Sequence, residues 1–133
     1  MRIMIDTNVL ISMIFFPSKQ MNELKKIICE QHSIVLCSYV VDELLKVTER
    51  KFSSKAKDMD NFLKSLPFYM VYTPKFIDVN NFPMIRDDMD TPILATAILE
   101  DVDILITGDK DFSNIEMERP EILTPAEFSE HYK

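Results

Sequence analysis

At 133 residues, 47% of them hydrophobic, the chain is long enough to pack one domain and too short to expect two. Its formal net charge of -7 argues against a broadly polyanion-binding surface, and no apolar run approaches the roughly 20 residues that cross a bilayer, so a soluble, cytoplasmic protein is expected. Met1-Arg2-Ile3-Met4-Ile5-Asp6 turns acidic too soon for a signal peptide, and Cys29 and Cys37 fit no disulfide or zinc pattern, as expected of reduced, buried thiols.

In chain order, short aliphatic runs alternate with stretches of helical period. Ile3-Met4-Ile5 predicts a first strand that stops at Asp6. Residues 19–30 put Met21, Leu24, Ile27 and Ile28 on one helical face, and Ile34-Val35-Leu36-Cys37 predicts a second strand. Ser38 is the expected N-cap of the next helix, whose apolar face is Val40, Val41, Leu44, Leu45 and Val47. Ala56, Met59, Phe62, Leu63 and Leu66 mark a further helix, and residues 70–73 predict a third strand stopped by Pro74. The stretch TPILATAILE, residues 91–100, has Pro92 in its first turn and is apolar almost all round, which predicts a buried helix. Residues 103–107 predict a fourth strand and 121–124 a short fifth, after which Thr124-Pro125-Ala126-Glu127 spells the capping box of a last short helix.

Strands that are aliphatic throughout are buried on both faces, and their alternation with helices predicts an open α/β fold with a parallel sheet. Ligands of such folds bind beyond the carboxyl ends of the strands, near the point where strand order reverses. Four acids are expected there. Asp6 follows the first strand, Asp109 follows the fourth across Gly108, and Asp90 directly precedes the buried helix. Glu43 lies on the helix leaving the second strand, where it flanks the apolar face while Asp42 points away.

Singly, each acid also fits a plain structural role: an N-cap for Asp90, a turn for Asp109, an Asx-turn for Asp6, a surface charge for Glu43. Together, carboxylates converging on one pocket repel unless a cation compensates them. Oxygen-only ligands suit Mg²⁺ or Mn²⁺, while His32 and His131 lie in no zinc-binding spacing. Gly108, the chain's single glycine, is expected to let the backbone turn sharply and approach a ligand closely. Between positions 46 and 64, six basic residues outnumber three acidic ones, so the acid excess lies elsewhere. Phe15, Phe16 and Pro17 are expected in an apolar loop near the site.

These motifs, Ile5-Asp6-Thr7-Asn8-Val9-Leu10-Ile11-Ser12, Ser38 to Leu44, Asp90-Thr91-Pro92-Ile93-Leu94-Ala95-Thr96-Ala97 and Leu105-Ile106-Thr107-Gly108-Asp109, resemble the ordered motifs of the PIN-domain family. The tail ILTPAEFSEHY is similar to the ending of a PIN subgroup of toxins from toxin–antitoxin systems. The resemblance implies a three-layer α/β/α PIN-like fold with about five short parallel strands, and a metal-dependent ribonuclease. Asp6, Glu43, Asp90 and Asp109 match the family's acidic ligands, with Asn8, Ser12, Ser38 and Thr107 as polar support. Asp111 competes with Asp109 for the fourth place, and Asp87 and Asp88 crowd Asp90. Further implications are a homodimer, a cognate antitoxin, and RNA held by Lys46, Arg50, Lys51 and Lys55.

Other chemistries fit less well. A dehalogenase-type phosphatase needs a carboxylate two residues after its first Asp, where Asn8 stands, and a receiver domain needs an Asp after the third strand, where the chain reads Val71-Tyr72-Thr73-Pro74. Ser12, Ser38 and Thr107 have no histidine in a pairing motif. The remaining rival is a PIN-like module that binds RNA or protein without cutting.

Overall fold

The fold, given by a computed structural model, is described for residues 1–75, 91–108, 112 and 117–132. Five strands, β1 (Arg2–Ile5), β2 (Ser33–Cys37), β3 (Phe68–Val71), β4 (Ile104–Ile106) and β5 (Glu121–Leu123), form one parallel sheet in the order β3-β2-β1-β4-β5. Among the described residues six α-helices flank it in a three-layer α/β/α arrangement: α1 (Thr7–Phe15), α2 (Lys19–Gln31), α3 (Ser38–Lys51), α4 (Ala56–Ser65), α5 (Thr91–Leu99) and α6 (Pro125–His131). None is long and apolar enough to cross a membrane.

The register centres on β1. Met4 pairs with Val35 on one side and Leu105 on the other, and Ile5 pairs with Ile106. Ile3, Met4, Ile5, Val35, Leu36, Ile104, Leu105 and Ile106 are all buried, as strands covered on both faces must be. Because β1 sits between β2 and β4, strand order reverses at β1/β4, which makes the carboxyl ends of these two strands the topological switch point.

Most helices follow their sequence period. In α2, Ser18 caps the first turn by accepting from the Met21 N–H at 3.1 Å, and Leu24 and Ile28 are buried one turn apart. In α4, Met59 and Phe62 enter the core, and in α5 Ile93, Leu94, Ala95 and Ala97 do. The end of α5 is closed by a Schellman-type pair: Val102 N–H donates to Ala97 C=O and Asp101 N–H to Ile98 C=O, with Asp101 at φ 53°. The capping box is present in full, Glu127 N–H to Thr124 Oγ1 at 3.1 Å and Thr124 N–H to Glu127 Oε1 at 3.0 Å.

Several elements differ from the sequence pattern. Residues 7–15, assigned to no element above, form α1, so Phe15 is a buried helical residue rather than part of a loop. Strand β3 ends two residues before Thr73. Ser38 is the first residue of α3, not its N-cap; Cys37 holds that position and makes no side-chain cap bond. On α3, Val40, Val41 and Leu44 are buried, Leu45 is exposed, and Thr48 takes its place inside, donating to Leu44 C=O at 2.8 Å.

Candidate functional site

The switch point is built from backbone first. Asp6 N–H donates to Ile106 C=O at 3.0 Å, which extends the β1/β4 pairing by one residue and sets Asp6 beside Thr107. Asp6 then leaves the sheet as the N-cap of α1: its C=O accepts from Leu10 N–H, and its Oδ1 accepts from Thr7 N–H at 2.7 Å. Its Oδ2 accepts from the Thr107 hydroxyl at 2.7 Å. Thr107 is fixed in turn by its own N–H, which donates to Leu123 C=O on β5. The carboxylate is thus 4% exposed, at the positive end of a helix, with its orientation set by two neutral donors.

One neighbour escaped the sequence reading. Thr7 is 2% exposed, and among the described residues its hydroxyl is the buried side-chain polar atom with no hydrogen-bond partner. Such groups are normally satisfied by protein, water or an ion. A buried carboxylate beside an unsatisfied hydroxyl offers the oxygen donors that suit a hydrated hard cation such as Mg²⁺. The signal for Thr7 was its place at the first position of a helix capped by the site's own aspartate.

Glu43 stands on the second turn of α3, about 9 Å along the axis from Cys37 at the end of β2. It is half-buried while Asp42 is exposed. The start of α3 is latched to the chain beyond β3: Thr73 N–H donates to Ser38 Oγ at 2.9 Å and Tyr39 N–H donates to Thr73 Oγ1 at 3.2 Å. Ser38 and Tyr39 are thus both tied to Thr73, which lies two residues beyond the end of β3. Asn8 is exposed, and the Ser12 hydroxyl donates to Asn8 C=O at 3.1 Å along α1.

Asp87, Asp88, Asp90, Asp109 and Asp111 lie outside the described residues. Among the described residues no three His, Cys, Asp or Glu side chains gather as a metal site, and the structure brings together Asp6, Thr7 and Thr107. Phe112 is buried in the core. Gly108 departs from expectation: its φ is not positive, and a Cβ built on it meets nothing within 4 Å. Neither a strained turn nor a close neighbour in the protein demands glycine there.

Burial pushes the Cys37 thiol upward despite hydrogen bonds that oppose it, and burial raises Cys29 as well, so neither is a ready thiolate. His32 is lowered by burial and by the N-terminal ammonium, whose nitrogen lies 3.3 Å from its Nδ1, and its ring packs edge-on against Phe128. It serves packing, as does the α6 end of the molecule.

A buried acid at the switch point of a 3-2-1-4-5 parallel sheet, at the N-terminus of the first helix, defines a class of α/β proteins with an acidic site. The PIN-domain family model matches residues 2–111, and the chain belongs to that family. No curated protein sequence matches it. In fold it is similar to a chain in the crystal structure of VapBC2 from Rickettsia felis bound to a DNA fragment from their promoter, with a TM-score of 0.70 and 19% identity over 92% of this chain and 97% of that one.

Proposed function

We propose that this protein is a metal-dependent endoribonuclease that hydrolyses RNA phosphodiester bonds, and that it is the toxin of a toxin–antitoxin pair. The observation that carries the reading is the buried Asp6 carboxylate, held by Thr7 N–H and the Thr107 hydroxyl at the switch point of a PIN-domain sheet. Asp6, Glu43, Asp90 and either Asp109 or Asp111 would hold Mg²⁺ or Mn²⁺, with Asp87 as a further acid nearby. Bound there, the metal supplies the positive charge that polarises the scissile phosphate and activates water.

The chain's own residues bind and orient. Thr107 and Thr7 fix one rotamer of Asp6, and the Ser38–Thr73 latch fixes the turn of α3 that carries Glu43. Lys46 and Arg50 lie three and seven residues beyond Glu43, within about 60° of it around α3, and lead cationic charge away from the acids along the helix. With Lys51 and Lys55 they hold the RNA backbone. Among the described residues no histidine adjoins Ser12, Ser38 or Thr107 to make a covalent nucleophile of it. Likeness in fold to a chain of a VapBC2 complex supports a cognate antitoxin as partner, and a homodimer belongs to the same proposal.

The test compares cleavage of RNA by wild type and Asp6→Asn with Mg²⁺, Mn²⁺ and EDTA. Wild type should yield 5′-phosphate and 3′-hydroxyl ends, stop in EDTA, and lose at least about a hundredfold in Asp6→Asn, more than outer-shell partners of a metal usually cost. Cleavage that survives EDTA, or that Asp6→Asn leaves intact, ends the metal-nuclease reading. RNA bound but not cut by wild type with either metal favours the non-catalytic PIN-like module.

A further inference from the structure

The C-terminal ends of α1 and α3, remote from Asp6, meet in three phenyl rings. Phe15 stacks on Phe52 with centroids 4.6 Å apart and 21° between planes, and Phe16 meets Phe52 edge-on at 5.9 Å and 78°. Phe15 is buried, yet Phe16 is 59% exposed. A solitary exposed phenyl is ordinary. This one is held edge-on by Phe52, and basic residues flank Phe52 in the chain.

Arg50 and Lys51 directly precede Phe52 in the chain. Lys55 folds back on it, its N–H donating to Phe52 C=O at 2.8 Å and its ammonium 5.9 Å from the Phe15 centroid. All three cations are exposed, and among the described residues none of them, nor Lys46, makes an ion pair. In a chain of net charge -7, exposed cations beside the Phe15–Phe52–Phe16 cluster are complementary to a polyanion that carries flat apolar groups. Protein interfaces deplete lysine at their centres, which disfavours a protein occupant.

Distance ties this end to the acids. The nine residues of α1 span about 14 Å from Asp6 to Phe16, and Glu43 to Arg50 covers about 10 Å along α3. A backbone bound beside Asp6 and Glu43 can follow Lys46 and Arg50 down α3 and arrive over Phe16. We infer that Phe16 is a stacking platform for an unpaired base of the RNA, one helix length from the cleaved bond, with Lys51 and Lys55 holding the phosphates on either side. The inference rests on the nuclease reading for its substrate, and it gives Phe16 a preference for an unpaired nucleotide.

The experiment measures binding of a labelled single-stranded RNA oligonucleotide and of its duplex to the full chain in EDTA, with Phe16→Ala, Phe16→Leu and Phe16→Tyr. Alanine and leucine should each weaken single-strand binding roughly five- to hundredfold, tyrosine should retain it, and duplex binding should barely change. Comparing leucine with tyrosine separates stacking from apolar packing and keeps the test intact if alanine disturbs the fold. Equal binding by wild type, alanine and leucine, or no binding of single strands by wild type, overturns the platform and gives the ring to a protein partner. Metal-dependent cleavage without a Phe16 effect overturns the platform alone, whereas a Phe16 effect on binding without cleavage overturns the nuclease reading alone.

Discussion

The two ends of the sheet hold their carboxylates in opposite ways. At the amino end, Asp103 accepts from Arg2 N–H at 2.8 Å and pairs with Arg119 at 3.0 Å, while Arg119 also reaches Asp101 at 2.8 Å and Arg2 donates to Glu100 C=O and approaches its carboxylate. These groups are half-exposed and charge is matched by charge. At the carboxyl end, Asp6 is buried and is gripped by an amide and a hydroxyl. Guanidinium partners bring opposite charge to a carboxylate, whereas an amide and a hydroxyl fix the direction of its oxygens. The same residue type is a structural tie at one end of β1 and a candidate ligand at the other.

The largest effect expected from breaking this contrast comes from Thr107→Val. The substitution preserves shape and removes the hydroxyl donor from a buried carboxylate, so urea denaturation should show a loss of about 1–3 kcal/mol, and RNA cleavage should fall with it. A variant as stable and active as wild type would refute the orienting role. Arg119→Ala should matter less, costing about 0.5–1 kcal/mol at low salt because its guanidinium is half-exposed. That deficit should shrink in 1 M salt while cleavage stays unchanged; a loss of activity would mean that the two ends are coupled. The smallest effect belongs to Gly108→Ala. With open space for a Cβ and no positive φ, it should leave cleavage intact and raise stability by at most about 1 kcal/mol through the unfolded chain, which a thermal melt would register. A marked loss of cleavage would show that the bare backbone serves a ligand after all.

How much of this was legible in sequence depends on how local each cause is. Strands β1, β2, β4 and β5, the faces of α2 and α4, and the Thr124 capping box all rest on patterns within a dozen residues, and the structure shows them. Helix α1 was illegible because Val9-Leu10-Ile11 and Met13-Ile14-Phe15 form a nearly unbroken apolar run with no period; only the structure shows that Val9, Leu10 and Met13 are the face it buries. Ser38 was misplaced as a cap because its hydroxyl is used by Thr73, 35 residues later, a partner no local pattern reveals. The position of Asp6 could be read from where β1 stops. Its clasp by Thr107 could not, since the pair is set by a sheet register between distant strands. Gly108 invited a conformational explanation by its rarity, and the backbone there is ordinary.

The Asp6–Thr107 bond joins residues 101 positions apart, across the pairing of the first strand with the fourth. On a ribosome, β1 and both of the following βα units are made long before Thr107 exists, and the first strand waits with one edge open. Chains grow at about 5–20 residues per second, so several seconds separate the synthesis of the aspartate from that of the hydroxyl that orients it. Until Thr107 is added, Asp6 is without the hydroxyl that orients it, so the geometry of this carboxylate is set by the late strand and not by the early one.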